Sequence, residues 1–511
     1  MNGHSNQLRA GVILSYINLF ISTVIPFFYT PIVLRLLGQA EYGLYSLAGS
    51  VVGYLTLLSL GFGNTITRYL SKYRAEGNLD AERKTFGFFL IVYAALSILV
   101  LAGGFFISQN TQLFFDQSLT PTEIKKLKAL TMIMAASTAI SFPHSTLYAV
   151  ITAHERFQFR QTVEILFAIA VPMVNLVALS TGFASVGLAV ISLAVQIITT
   201  VIHAIYCLNT LKIVPIFTKL PKQLVMEMCS FSAFVFIATI VDMLFWATDK
   251  VILGMRASVA AVAVYNIGGT FNSITMSLST SISGVLVPRI TGMVVKETPK
   301  EEWTKLLIRV GRLQFVVIAL VISGFALFGQ QFLALWAGPE YADSYWVAIL
   351  TLSPLCIPLI QNVALSIVTA QNKHQFRAIV YLIIAVANVI ATYLIIPYWG
   401  VIGAALCTCV SYLLGQGLIM NIYYHKVTGL DIFLFWRNIL KMAIVPACMV
   451  LVGFLCLKQL EINSWLLFFG LVILYSAIYL GLMYLFSFND YEKDMLRKPL
   501  RKVIRVLRKQ N

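Results

Sequence analysis

Apolar residues run in long blocks from one end of the chain to the other, separated by short polar stretches. Each block holds about 20 residues, enough for an α-helix to cross a hydrocarbon core about 30 Å thick. Fourteen blocks read as spans, at about 12–34, 43–66, 86–107, 129–151, 162–180, 184–207, 230–253, 260–286, 308–335, 345–369, 378–396, 400–423, 437–457 and 464–486. The gaps between them are too short for a soluble domain. The pattern therefore predicts an all-α polytopic membrane protein. The first block is too long for a cleavable signal peptide and lacks a small-residue cleavage site, so it is expected to stay as the first span.

One block breaks the pattern. Phe231–Met255 is long and apolar but carries Asp242, Asp249 and Lys250. A carboxylate near a bilayer centre costs about 2.5–3.5 kcal/mol on insertion scales. A chain tolerates this where the charge meets protein or a water-filled cavity. In one continuous helix Asp242 and Asp249, seven residues apart, would share a face, with Trp246 between them. Asp242 falls near mid-span and is the candidate for binding a coupling ion. Asp249 and Lys250 lie closer to the outer end, either lining a cavity or at the interface.

The chain also repeats itself. Thr152–Arg160 (TAHERFQFR) and Thr369–Arg377 (TAQNKHQFR) match at an offset of 217 residues. Asn175 and Gly187-Leu188-Ala189 correspond to Asn388 and Gly403-Ala404-Ala405. Such self-similarity predicts two related lobes with an axis along the membrane normal. Residues 1–210 would form an N-terminal lobe of six spans and 211–428 a C-terminal lobe of six. Residues 429–511 would add two spans and a basic tail.

Composition agrees: 59% of the residues are hydrophobic and 11% charged, far from the roughly 25% charged of a soluble domain. The net charge of +16 is mostly topology. Of the 37 Lys and Arg, 30 fall on one set of alternate loops and 6 on the other, with Lys250 inside a span. By the positive-inside rule both termini are expected in the cytoplasm. Nucleic acid is not implied. The tail from Lys493 to Lys509 suits a solvated inner-face anchor or anionic lipid head groups. The seven cysteines lie in or beside apolar blocks without metal-ligand spacing, so neither a disulfide framework nor a metal site is expected.

Polar stripes mark candidate cavity walls. In 260–286, Asn266, Thr270, Ser273, Ser277, Ser281 and Gly284 recur at helical spacing. In 43–66 the matching positions are Ser46, Ser50, Gly53, Leu57, Gly61 and Asn64, ending at Arg68. Small and hydroxyl residues also serve tight helix packing in membranes, which is the competing account. Arg35 and Arg256 stand at outer span ends, Arg68 and Arg289 at inner ones. They are either topology anchors or rings of guanidinium suited to a phosphate group. His144 and His203, each inside a span, are expected to make interhelical hydrogen bonds. His154-Glu155 fails the HExxH zinc pattern because Gln158 replaces the second histidine, and no Walker A loop occurs. An enzyme is not expected, and uphill work would need an ion or substrate gradient.

Several stretches together resemble a known family. They are Pro26–Pro31 (PFFYTP), Leu37-Gly38, Glu41–Ser46 (EYGLYS), Gly61-Phe62-Gly63 with Arg68, Thr248-Asp249-Lys250 with Leu253-Gly254, and Tyr398–Ala405 (YWGVIGAA). In order and spacing they resemble the Wzx-type polysaccharide and O-antigen flippases of the multidrug/oligosaccharidyl-lipid/polysaccharide exporter superfamily. The resemblance covers nearly the whole chain. It implies fourteen helices in two six-helix lobes around a cationic central cavity. It implies flipping of an undecaprenyl-diphosphate-linked oligosaccharide from the cytoplasmic to the outer leaflet of a bacterial inner membrane. The mechanism would be alternating access coupled to a proton or sodium gradient, with no other cofactor. Membrane lipids, a polysaccharide polymerase and chain-length machinery are the implied partners. On this reading Arg35, Arg68, Arg256 and Arg289 attract the diphosphate, and Asp249 and Lys250 line the lumen. A cation-coupled drug exporter of the same superfamily is the alternative; it would have a cavity rich in acids and aromatics and poor in cations.

Overall fold

The computed structural model describes every residue except Met1, Lys219, Val285, Glu297, Asn372 and the segments 458–463 and 495–511. Lys219, Lys458 and the tail beyond Asp494 thus lie outside the described residues. Among the described residues all regular structure is helical. Helix occupies each of the fourteen stretches read as spans. Among the described residues ten helices are long and apolar enough to cross a membrane, and up to twelve if each of two bent pairs is one span. Two differences from fourteen have local causes. The stretches 378–396 and 400–423 fall in one helical run, Gln375–Thr428, which turns at Gly400 with φ 51° and ψ −132°. The stretch 129–151, interrupted by Ser, Thr, Pro and His, is helical but not among the ten.

The chain forms two compact units, Met1–Asn266 with Asn388–Ala404, and Ile267–Ala387 with Ala405–Asn511. The first unit thus runs past residue 210. The reason lies in the two helices after residue 221, which pack into the first unit.

The first unit contains α1 (Asn2–Leu37), α2 (Gln39–Gly53), α3 (Phe62–Ala75), α4 (Leu79–Phe115), α5 (Pro121–Ala153), α6 (Phe157–Ser180), α7 (Ser185–Ile205), α8 (Lys222–Trp246) and α9 (Thr248–Arg256). The first eight residues of α10 (Val259–Gly284) also belong to it. Its helix starts are written in the sequence. Thr120 and Glu123 form a capping box around Pro121, which needs no amide partner at that position. The Asn78 side chain accepts from the Ala81 amide at 3.0 Å to start α4. Its core packs Ile66, Leu70, Phe86, Phe89, Tyr93 and Phe142. The block 43–66 is not one continuous helix. A 3₁₀ turn at Tyr54–Ser59 follows α2, Leu60 and Gly61 take left-handed φ of 52° and 70°, and α3 leaves at a bend of 40°. Gly61 is required twice over. Its φ suits glycine, and a Cβ there would come 3.0 Å from the Ser232 carbonyl oxygen of α8.

The second unit contains the rest of α10, then α11 (Val287–Val295), α12 (Lys300–Trp336), α13 (Ser344–Ile360), α14 (Asn362–Ala370), most of α15 (His374–Tyr412), α16 (Met420–Tyr423), α17 (Ile432–Leu457) and α18 (Trp465–Leu482). Helix α12 packs on α13 and α17. Beyond α18 the chain turns into a further helical stretch, 490–494, that lies against α12. There Arg312, 6% exposed, makes a two-pronged ion pair with Glu492, 2% exposed, at 2.6 and 2.7 Å, and also donates to the Ser487 carbonyl.

Candidate functional site

The helix expected to run unbroken through Asp242 and Asp249 is interrupted at Ala247, between α8 and α9. The break separates the two acids. Asp242, on α8, is exposed, whereas Asp249, in the first turn of α9, has no exposed surface. The two acids thus differ in burial, although helical hydrogen bonds continue through Ala247, from its amide to the Met243 carbonyl and from the Val251 amide to its own carbonyl.

Around α9 the first unit builds a polar cluster inside apolar walls. The Tyr265 hydroxyl of α10 donates to the Asp249 carboxylate. The Thr248 hydroxyl pairs with the Tyr54 hydroxyl from the 3₁₀ turn after α2. Half-buried Lys250 donates through Nζ to Asn266 Oδ1 at 3.3 Å, and Asn266 Nδ2 donates to the Tyr42 hydroxyl at 2.9 Å. Consecutive residues Thr248, Asp249 and Lys250 thus grip three separate partners. The position of α9 is fixed further by the Ser118 hydroxyl, which donates to the Gly254 carbonyl. Unlike charges on adjacent residues keep the cluster near neutral. This limits the cost of taking a carboxylate out of water, which a hydrogen-bond donor must otherwise offset.

The stripe on α10 resolves by face. Ser273, Ser277 and Ser281 are exposed, and Thr270 is half-buried. The hydroxyls of Ser277 and Ser281 bond back to carbonyls of their own helix, at 2.9 and 2.7 Å. Packing inside the second unit uses a different stripe, Asn272, Thr275, Ser279 and Ser283, all buried. Asn272 Nδ2 donates to Thr351 at 2.9 Å, and Ser279 accepts from Gln314 Nε2 and donates to the Leu359 carbonyl, each at 3.0 Å. The predicted stripe is therefore open at Ser273, Ser277 and Ser281 and half-buried at Asn266 and Thr270, and the packing stripe went unread.

On α3, Asn64 and Arg68 are one turn apart and both exposed. The stripe leading to them does not continue through α2, where Ser50 is buried and the 3₁₀ turn changes the phase. Arg35 is exposed in the last turn of α1. Arg256, exposed at the end of α9, lies 4.6 Å from the Tyr393 ring centre. Arg289 is exposed on α11 in the second unit.

The structure thus brings together Asp249, Lys250 and Asn266 of the predicted residues. The sequence reading missed Tyr42, Tyr54, Thr248 and Tyr265 as their partners. Tyr42 lies in the EYGLYS stretch and Thr248 precedes Asp249, so both were within reach. Tyr265 is sixteen residues beyond Asp249, at a spacing set by the turn between α9 and α10.

A multi-pass helical membrane protein with a buried polar cluster around α9 is the class defined so far. Residues 8–294 match the polysaccharide biosynthesis protein family, and the chain belongs to that family. It is 22% identical over 508 residues to a Bacillus subtilis (strain 168) protein named "uncharacterized membrane protein EpsK", covering 94% of this chain and 96% of that one. Its fold is similar to that of the lipid II flippase MurJ in an inward closed conformation, with a TM-score of 0.73 at 16% identity, covering 93% of this chain and 99% of that one. It is also similar to an inward-facing multidrug resistance MATE family transporter of the MOP superfamily. There the TM-score is 0.62 at 13% identity, covering 83% of this chain and 99% of that one.

Proposed function

We propose that this chain flips a polyprenyl-diphosphate-linked oligosaccharide from the cytoplasmic to the outer leaflet by alternating access, driven by an ion gradient. The observation that carries the reading is membership of the polysaccharide biosynthesis family in a chain built of membrane helices. The likeness to MurJ supports a lipid-linked substrate, and the likeness to a drug transporter shows that the fold alone is compatible with both cargoes. Chemistry favours the lipid-linked sugar. Exposed Arg35, Arg68, Arg256 and Arg289 suit a diphosphate, which guanidinium binds through paired hydrogen bonds. The open hydroxyl face of α10 suits a sugar that must trade water for polar side chains. Exposed Asp242, within an apolar helix, is the residue to which ion coupling is assigned; a carboxylate there is costly against lipid and tolerable against water. The setting would be a bacterial inner membrane, with both termini cytoplasmic, in surface polysaccharide assembly.

Deleting the gene tests this. A lipid-linked glycan should accumulate on the cytoplasmic leaflet, and its chemical analysis would identify the cargo. Broad drug sensitisation with intact surface polysaccharide would overturn the proposal in favour of the exporter reading.

A further inference from the structure

Apart from the cluster around α9, the first unit buries a pair of imidazoles between α5 and α7. His144 Nε2 and His203 Nδ1 are 2.8 Å apart, with ring centres separated by 4.9 Å and ring planes within 9°. That combination puts the nitrogen–nitrogen bond nearly along the line between the rings, which is good hydrogen-bond geometry. One nitrogen must donate and the other accept, so a single proton lies between them. His203 is 1% exposed, and its outer nitrogen, Nε2, has no hydrogen-bond partner among the described residues. His144 is half-buried.

We propose that His144 and His203 form a binding site for one proton. The neutral pair holds one proton between the rings and one on an outer nitrogen. A further proton added at either outer nitrogen gives the same cation, because the central proton moves across the 2.8 Å bond to compensate. His144, the more accessible ring, is the entry, and the charge is shared with the deeper ring. A second added proton would place two imidazoliums in contact and remove the acceptor between them, so the site stops at one.

Aromatic rings and one ion pair surround the two imidazoles. Phe159 and Tyr148 turn their rings towards His203, with centres at 5.9 and 6.4 Å. Helix α6 brings Arg160, whose guanidinium stands 5.0 Å from the Tyr148 ring centre, and Glu164, whose carboxylate is 3.6 Å from Arg160 Nε. Glu164 also accepts from the Tyr148 hydroxyl at 3.2 Å and from Asn18 of α1 at 2.8 Å. The π-helical turn after α7 adds Tyr206, stacked on Phe159, and Cys207, bonded to the Leu147 carbonyl. Helix α4 adds Tyr93, against Phe142. Arg160 and Glu164 face each other at 3.6 Å, so the added proton would enter a neighbourhood that already holds a guanidinium and its partner carboxylate.

The test needs no substrate, so it fails or succeeds separately from the transport reading. The full chain, in lipid nanodiscs with ¹⁵N-labelled histidine, is titrated by NMR from about pH 8 to pH 5, where an unperturbed imidazole changes charge. His144 and His203 should take up one proton between them, with a nitrogen–nitrogen coupling across the bond. The double variant H144Q/H203Q should lose one proton of uptake relative to wild type. In H203Q the remaining His144 should titrate as a lone imidazole. Uptake of two protons by the pair, or of none, overturns the proposal. Should the variants not fold, the wild-type coupling and proton count decide it alone.

Discussion

The Tyr265 hydroxyl donates to the fully buried carboxylate of Asp249, tying the first turn of α9 to α10 within one unit. Removing that hydroxyl leaves a buried acceptor short of a donor, which costs about 1–3 kcal/mol. Tyr265→Phe should therefore lower the thermal midpoint in detergent clearly. Asp249→Asn keeps an acceptor for the phenol and should cost less. An unchanged midpoint in Tyr265→Phe would remove the bond from the stability account.

Asp242 stands beyond the break at Ala247, exposed on α8. Asp242→Asn should insert and accumulate normally, because the side chain is exposed and the substitution removes a charge from an apolar helix. Transport should fall tenfold or more, equivalent to about 1.4 kcal/mol or more on the barrier. Full complementation of a deletion strain by this variant would end the coupling role.

The two stripes of α10 should respond oppositely. Ser279→Ala removes the partner of Gln314 and Asn362 in the second unit and should cost about 1–3 kcal/mol. Ser277→Leu, on the open face, should leave stability within about 0.5 kcal/mol yet reduce sugar transport. Comparing unfolding midpoints and flipping rates of the pair checks the division. Equal destabilisation would mean that the open face is a packing face.

Gly61→Ala should destabilise the first unit by about 1–2 kcal/mol, since the left-handed φ is costly for any residue with a Cβ and the new methyl meets the Ser232 carbonyl. Gly63→Ala is the control, because a Cβ there has nothing within 4 Å. Circular-dichroism melts of the two variants give the comparison.

Arg68→Lys keeps the charge but loses the planar fork. If the cargo carries a diphosphate, the half-saturating concentration should rise severalfold in Arg68→Lys and further in Arg68→Gln. Equal transport by all three proteins would release Arg68 from substrate binding.

The helices were legible because each crossing needs about 20 apolar residues, and nothing else in the chain competes with that signal. The family was legible from short stretches such as EYGLYS. The breaks were not. Ala247 takes φ −105° and ψ −33°, within ordinary helical space, and nothing local marks it as an interruption. Nor did the pattern show that Asp242 is exposed while Asp249 is fully buried. The sequence singled out Asn266, yet its bonds to Lys250 and Tyr42 depend on three elements meeting. The histidines were noted one at a time. Their partnership across 59 residues became visible only once α5 lay against α7. The two-unit division depends likewise on where α8 and α9 pack, a matter of contacts and not of pattern.

The ion pair between Arg312 and Glu492 gives the end of the chain a role in its survival. A product cut short just after the last apolar helix would still contain every stretch that the insertion machinery reads as hydrophobic. It would nevertheless hold a buried guanidinium whose carboxylate was never made, and such a stranded charge is strongly destabilising. The fault would escape the step that threads helices into the bilayer. Folding would meet the fault only after insertion, so the residues around Glu492 tie the stability of α12 to the chain that follows α18.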